Sequence, residues 1–310
     1  MALSIRWRWK LDRFLEQLKG LLGAKKKEDA RPRLCPACST LVGASATKCY
    51  QCGASMTFSL AAASRSLGGL IHSEAPITYG ILFACCLLYG LSLLVTIRIS
   101  GGFAAPSGGL FGLFGLGGVN GQVLMRLGAS LPLPLNLQQP WRFVMAVFLH
   151  GSLLHLAFNM WVLLDVGPQI EELYGSARYF FIYVVTGVAG YCLSSFFFRT
   201  SVGASGALLG LIGVLLALTT GRRSAGMQML RSQLIKWLIY IAVIGFVFPQ
   251  IDNFAHAGGF VAGYALGKIM SDRQPVDAVS RKRAYALGWA TALVVAVSFV
   301  MMLFQYFRTS

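Results

Sequence analysis

The chain has 310 residues, of which 56% are hydrophobic and only 12% charged, with a mean hydropathy of +0.64. A soluble domain carries roughly 25% charged residues, so the polar surface needed to cover a water-soluble globule is missing and a membrane is the natural solvent. The net charge of +16 does not indicate nucleic acid. The basic residues stand in short runs between apolar stretches (Lys25 to Lys27; Arg222, Arg223 and Arg231; Arg281, Lys282 and Arg283), the pattern by which Lys and Arg mark cytoplasmic loops.

Residues 1–30 place Leu11, Phe14, Leu15, Leu18 and Leu22 at helical spacing among Arg and Lys. They predict a basic amphipathic helix lying on the membrane or packing on the rest of the protein; no cleavable signal peptide is evident. In residues 31–58 the sequence turns small and polar, with Cys35-x-x-Cys38 and Cys49-x-x-Cys52. Each pair can present two thiolates from one tight turn, and two such turns make a tetrahedral site, so Cys35, Cys38, Cys49 and Cys52 are expected to bind structural Zn²⁺. A redox or disulfide role is the rival, and it suits an oxidising compartment better than the cytoplasm. The module could brace the N-terminus or bind a cytoplasmic partner. Residues 59–76 form a linker rich in Ala, Ser and Gly.

Beyond the linker, hydrophobic periodicity predicts about seven membrane helices. The expected spans run over 77–97, 149–166, 179–198, 204–220, 234–248, 255–270 and 286–307. Residues 100–140 are apolar but too broken by Gly and Pro to span, and predict a loop dipping into the outer interface. Several spans are shorter than a crossing needs, as in a protein that thins the bilayer or is shielded by neighbours. Gly259, Gly263 and Gly267 recur every four residues, a row that lets a neighbouring helix approach closely. The loop charges place the N-terminus in the cytoplasm and the C-terminus outside. That arrangement suits a bacterial plasma membrane, with an organelle membrane as the alternative.

Polar groups inside spans are costly and mark function. Ser205, in Gly203-Ala204-Ser205-Gly206, and His256, in Ala255-His256-Ala257-Gly258-Gly259, both open their helices at the outer end. A Ser and a His at matched depth, each flanked by glycine, form a nucleophile–base pair. His155 and Asn159 share one helical face and, with His150, could donate hydrogen bonds to a developing oxyanion. Asp252, four residues before His256, caps the helix in the simpler reading. His72, Cys85, Cys86 and Cys192 are read as a solvated linker residue and small buried hydrophobes.

These pieces together resemble the rhomboid family of intramembrane serine proteases. The likeness rests on Trp141-Arg142, His150-x₄-His155-x₃-Asn159, Gly167-x₃-Glu171-x₃-Gly175, Gly203-Ala204-Ser205-Gly206 and Ala255-His256-x-Gly258-Gly259-x₃-Gly263, in that order. It implies an all-α polytopic fold: a six-helix rhomboid-like core over residues 77–272, then a cytoplasmic loop and a seventh helix in 273–310. It implies a dyad of Ser205 as nucleophile and His256 as base. The Ser205 backbone N–H, His155 and Asn159 would form the oxyanion hole, with His150 close by. It places Trp141-Arg142 in a structural loop and gives Glu171 the role of tying helix ends. Leu209 stands where family members often carry an aromatic against the catalytic His. The substrates implied are single-pass transmembrane proteins in the bilayer, with no catalytic cofactor. A non-catalytic client-binding protein on the same fold is the alternative. A transporter would call for inverted repeats or acidic residues in mid-span, and neither stands out.

Overall fold

The computed structural model describes residues 32–35, 40–43, 46–51, 75–101, 117–197, 200–222, 224–248, 251–270, 274–275 and 277–308. The expected amphipathic N-terminal helix and residues 59–74 of the linker lie outside these residues, as do Cys38 and Cys52; Pro76, the last residue of the expected linker, already opens a helix. The chain divides into two units, Met1–Ile71 and His72–Ser310.

In the first unit, β1 (Arg33–Leu34) pairs antiparallel with β2 (Leu41–Val42). Cys35, Val42 and Cys49 are buried together, so the hairpin brings one cysteine of each pair into one small core.

The regular elements of the second unit are all helices among its described residues. Its elements are α1 (Pro76–Ser100), α2 (Gly121–Leu127), α3 (Leu133–Gln138), α4 (Trp141–Met145), α5 (Leu153–Tyr174), α6 (Ser176–Phe196), α7 (Ser205–Thr219), α8 (Ala225–Val247), α9 (Asn253–Ile269) and α10 (Ala278–Arg308). A helix occupies most of each expected span, and α1, α5, α6, α8 and α10 are long and apolar enough to cross a membrane. The chain is a multi-pass membrane protein. At 15 and 17 residues, α7 and α9 stop short of the roughly 20 that a crossing requires. Almost every residue of α7 is buried, as expected for a helix that is apolar on all sides and enclosed by others.

Glycine sets the central packing. The buried residues of α9 are Ala255, Gly259, Gly263 and Gly267, a single seam at four-residue spacing. A Cβ on Gly259 would collide with the carbonyl oxygen of Gly206, and one on Gly263 with that of Gly210. The backbones of α7 and α9 are therefore in direct contact, which only glycine allows.

The expected 149–166 span is shifted in the structure. Its helix, α5, starts at Leu153 because Ser152 caps it, accepting a hydrogen bond from the His155 N–H at 3.3 Å. At the far end it continues through Gly167 and Pro168 to Tyr174. That extension carries Glu171 to the first turn of α1. Oε1 of Glu171 accepts from the Ile77 N–H (2.9 Å) and the Ser176 hydroxyl (2.7 Å). Oε2 accepts from the N–H and the hydroxyl of Thr78, both at 2.8 Å. One buried carboxylate thus holds α1, α5 and α6 together and sits at the positive end of the α1 dipole, the tying role expected for it.

Residues 117–150 make the loop at the other end of the bundle. Here α2, α3 and α4 replace a spanning helix, as the glycine and proline content predicted. Arg142 is buried in it: Nε donates to Gln139 Oε1 at 2.7 Å, and an Nη donates to the carbonyls of Met125 (2.6 Å) and Ala129 (3.2 Å). Its guanidinium lies over the Trp141 ring, 4.8 Å from the centroid. The Trp141-Arg142 pair therefore closes the end of α2 and is structural.

Candidate active site

Ser205 is the first residue of α7, and its position depends on the backbone before it. Gly203 has φ +134°, which an L side chain rarely adopts. Its N–H donates to the Ala146 carbonyl at 2.9 Å. The Tyr191 hydroxyl of α6 lies 2.7 Å from the Gly203 carbonyl and 3.2 Å from that of Ala146. Two residues upstream, Ser201 and Ser130 exchange backbone hydrogen bonds of 3.0 and 3.1 Å. Ser130 is anchored in turn by Asn136, whose Nδ2 contacts Ser130 Oγ (2.9 Å) and Ser195 Oγ (2.8 Å). The strand leading to the nucleophile is clamped from both sides.

His256 lies in the first turn of α9. Asp252 caps that helix, Oδ1 accepting from the Ala255 N–H at 3.0 Å, while Oδ2 accepts from the Ser194 hydroxyl. The carboxylate is thus committed to the cap and to α6. Phe254 stacks on Phe197 at the end of α6, centroids 3.7 Å apart. The Ala255 carbonyl, beside His256, sits between two glycines: a Cβ would lie 2.5 Å from it on Gly190 and 3.2 Å on Gly206. Gly206 and Ala255, which adjoin Ser205 and His256, are therefore in contact.

Ser205, His256, His155, Asn159 and Leu209 all line one cavity of 690 Å³ at the loop end of the bundle. Ser205, His155 and His256 are half-buried. Asn159 is buried, and its Nδ2 donates to the His155 carbonyl at 2.8 Å. The His155 ring packs on Gly203, where a Cβ would lie 2.7 Å from Nε2; any larger residue there would displace it. Ser205 and His256 are not hydrogen-bonded to each other in this structure; such bonds are often long without substrate and tighten on binding.

His150 departs from its expected place. It stands in the turn before α5, not on that helix, is fully buried, and does not line the cavity. Nδ1 lies 3.3 Å from the Phe148 carbonyl, so it carries the proton in the neutral ring, while Nε2 has no hydrogen-bond partner among the described residues. Its ring meets that of His155 edge to face, centroids 5.2 Å apart. His150 is thus a backing for His155.

Residues 137–273 match the rhomboid domain. That stretch includes every residue just placed around the cavity from α5, α7 and α9, and the loop residue His150. The chain is 34% identical over 150 residues to the rhomboid protease GluP of Bacillus subtilis, covering 48% of this chain and 29% of that one. It is 34% identical over 201 residues to RHOMBOID-like protein 1 of Arabidopsis thaliana, covering 58% and 52%. To rhomboid-like protease 3 of Toxoplasma gondii it is 34% identical over 155 residues, covering 47% and 58%. The chain spans about half the length, or less, of several curated relatives it matches. Residues 117–136 and α10 lie outside the rhomboid match.

Sequence reasoning passed over three groups. Tyr191 and Asn136 act through the backbone and belong to no motif; the only signal was a hydroxyl or amide set among apolar residues. Asp165, inside the expected 149–166 span, accepts from Trp237 Nε1 at 2.6 Å and from Gln233 Nε2 at 3.1 Å. It joins α5 to α8 and is an acidic group in a span that the sequence reading did not register.

Proposed function

We propose that this protein is an intramembrane serine endopeptidase of the rhomboid family, cutting membrane-anchored proteins with Ser205 and His256. The observation that carries this reading is that Ser205, His256, His155 and Asn159, from three helices, face one cavity at the end of the glycine-packed α7–α9 pair.

In the mechanism, His256 removes the Ser205 hydroxyl proton as Oγ attacks the scissile carbonyl carbon. The carbonyl oxygen becomes an oxyanion beside the α7 N-terminus, where the Ser205 N–H is directed along the helix dipole. His155 and Asn159 add side-chain donors, and His150 acts through His155. The tetrahedral intermediate collapses when His256 returns the proton to the leaving amine, leaving an acyl-Ser205 ester. Water, activated by the same His, attacks the ester and releases the second fragment. No third acid takes part, since Asp252 serves the helix cap. Leu209 leaves the His256 ring without an aromatic stack from α7, while the packing of Ala255 against Gly190 and Gly206 fixes the backbone that carries it.

The substrates are single-pass helices that unwind locally, because a helical backbone hides its carbonyls in hydrogen bonds. The loop end faces the outer side of a plasma membrane and the N-terminus is cytoplasmic, a reading supported by the basic loops at the other end. In the first unit, Cys35, Cys38, Cys49 and Cys52 hold a structural Zn²⁺ that folds the small module and presents it to a cytoplasmic partner. The burial of Cys35 with Cys49 supports this.

Cleavage of a model single-pass substrate by wild type, Ser205→Ala and His256→Ala tests the reading. Both variants should fall by about 10⁴-fold or more while melting like wild type. Activity retained in Ser205→Ala would remove the nucleophile. A folded wild type that binds such substrates without cutting them would make the protein a client-binding relative.

A further inference from the structure

The last helix, α10, lies outside the rhomboid match, yet it packs along α6 and α4 and reaches α2 at the loop end of the bundle. Its buried residues, Thr291, Ser298 and Met302, are seven and four residues apart and share one face. Beside that seam the half-buried Phe299 turns its ring to Phe148, the centroids 6.0 Å apart and the planes at 59°. Phe148 is buried and also meets Tyr183 of α6, at 6.1 Å and 51°. Its ring is therefore fixed by two others, one from the rhomboid-matched residues and one from the helix beyond them.

Phe148 begins a relay to the candidate oxyanion hole. It lies in the short segment between α4 and α5, from which two carbonyls hold the site. That of Ala146 accepts from the Gly203 N–H at 2.9 Å; that of Phe148 lies 3.3 Å from His150 Nδ1. The His150 ring then meets the His155 ring edge to face, centroids 5.2 Å apart. No hydrogen bond holds the His155 ring among the described residues, so packing against Gly203 and His150 sets its direction. Tilted contacts between aromatic rings are favourable at such distances, and here they fix the residue whose carbonyl orients His150. A smaller aliphatic side chain at position 299 would leave that residue room to drift.

With Ser205 and His155 acting as assigned above, we propose that Phe299 is a positioning residue of the active site. From a helix outside the rhomboid-matched residues, it fixes the direction in which His155 faces the oxyanion, acting through Phe148 and His150. It touches neither the substrate nor the reacting atoms. A group misplaced by about 1 Å can lose up to about 10²-fold in rate, so the effect of the ring falls on turnover rather than on substrate binding.

The test is the turnover of a model single-pass substrate by the full chain, measured on monodisperse protein in one detergent. Phe299→Leu should lower kcat about tenfold with KM within about twofold of wild type, and Phe148→Leu should do the same from the other ring of the pair. Phe299→Tyr, which keeps the ring, should hold kcat within about twofold of wild type. In a His155→Ala background, Phe299→Leu should lower kcat by less than about twofold further, because the group it acts through is gone. An equal fall in both backgrounds would mean a general loosening of the bundle and overturn the proposal. So would an unchanged kcat in Phe299→Leu, or a fall in Phe299→Tyr as large as in Phe299→Leu. Each of these leaves the protease reading standing. A wild type that does not cleave, or cleavage that survives Ser205→Ala, removes that reading and the role of Phe299 with it.

Discussion

The two ends of α5 carry polar groups drawn into the protein from the same helix, and they are handled in opposite ways. At the C-terminal end both oxygens of Glu171 are filled by four donors from α1 and α6. At the N-terminal end, His155 makes no side-chain hydrogen bond among the described residues, and Asn159 gives one to the His155 carbonyl, yet both face a cavity. A buried polar group whose partners are all supplied by the fold holds the fold together. One whose donors point into open space is waiting for something else to accept them.

That contrast can be broken by substitution. Glu171→Ala would leave two backbone N–H groups and two hydroxyls without their acceptor, and should cost about 3–5 kcal/mol of stability; denaturant titration in detergent would register it. Any fall in cleavage should follow the unfolded fraction alone. Asn159→Ala should do the reverse, lowering turnover by about 10²-fold or less with the melting temperature close to wild type. An unchanged rate would move the oxyanion role to other donors.

Tyr191→Phe sharpens the comparison, because this hydroxyl belongs to the fold but acts on the site. Losing the bond to the Gly203 carbonyl should cost about 1 kcal/mol and lower kcat by about tenfold with KM little changed. A loss of stability with kcat untouched would make the hydroxyl purely structural. Smallest of all is the expected effect of Cys35→Ser on hydrolysis: bound zinc should fall, read by metal analysis, while cleavage by the 72–310 unit persists. Loss of cleavage with zinc still bound would contradict a separate module.

How much of this was legible depended on whether a residue acts through its type or its position. Ser205, His256, His155 and Asn159 are legible because an imidazole or an amide inside an apolar span is costly, and a Ser at the same depth as a His reads as its partner. The glycine row of α9 was legible for the same reason, its spacing being the contact. The boundaries of α5 were not: Gly167-Pro168 reads as a break, and only the reach of Glu171 to Thr78 explains why the helix continues through it. His150 read as a member of the helix because its distance in sequence from His155 says nothing about the Ser152 cap between them. Tyr191 and Asn136 were illegible because their partners are backbone carbonyls and hydroxyls brought near only by the tertiary fold.

The collision that any Cβ on Gly259 or Gly263 would meet has a consequence for how the protein fails. With two backbones in contact along α7 and α9, the nucleophile and the base ride on one rigid body, and neither can loosen while the other stays folded. The site should then lack a local opening of its own. On heating, hydrolysis and helical signal should be lost along a single curve, with no inactive but folded species between them.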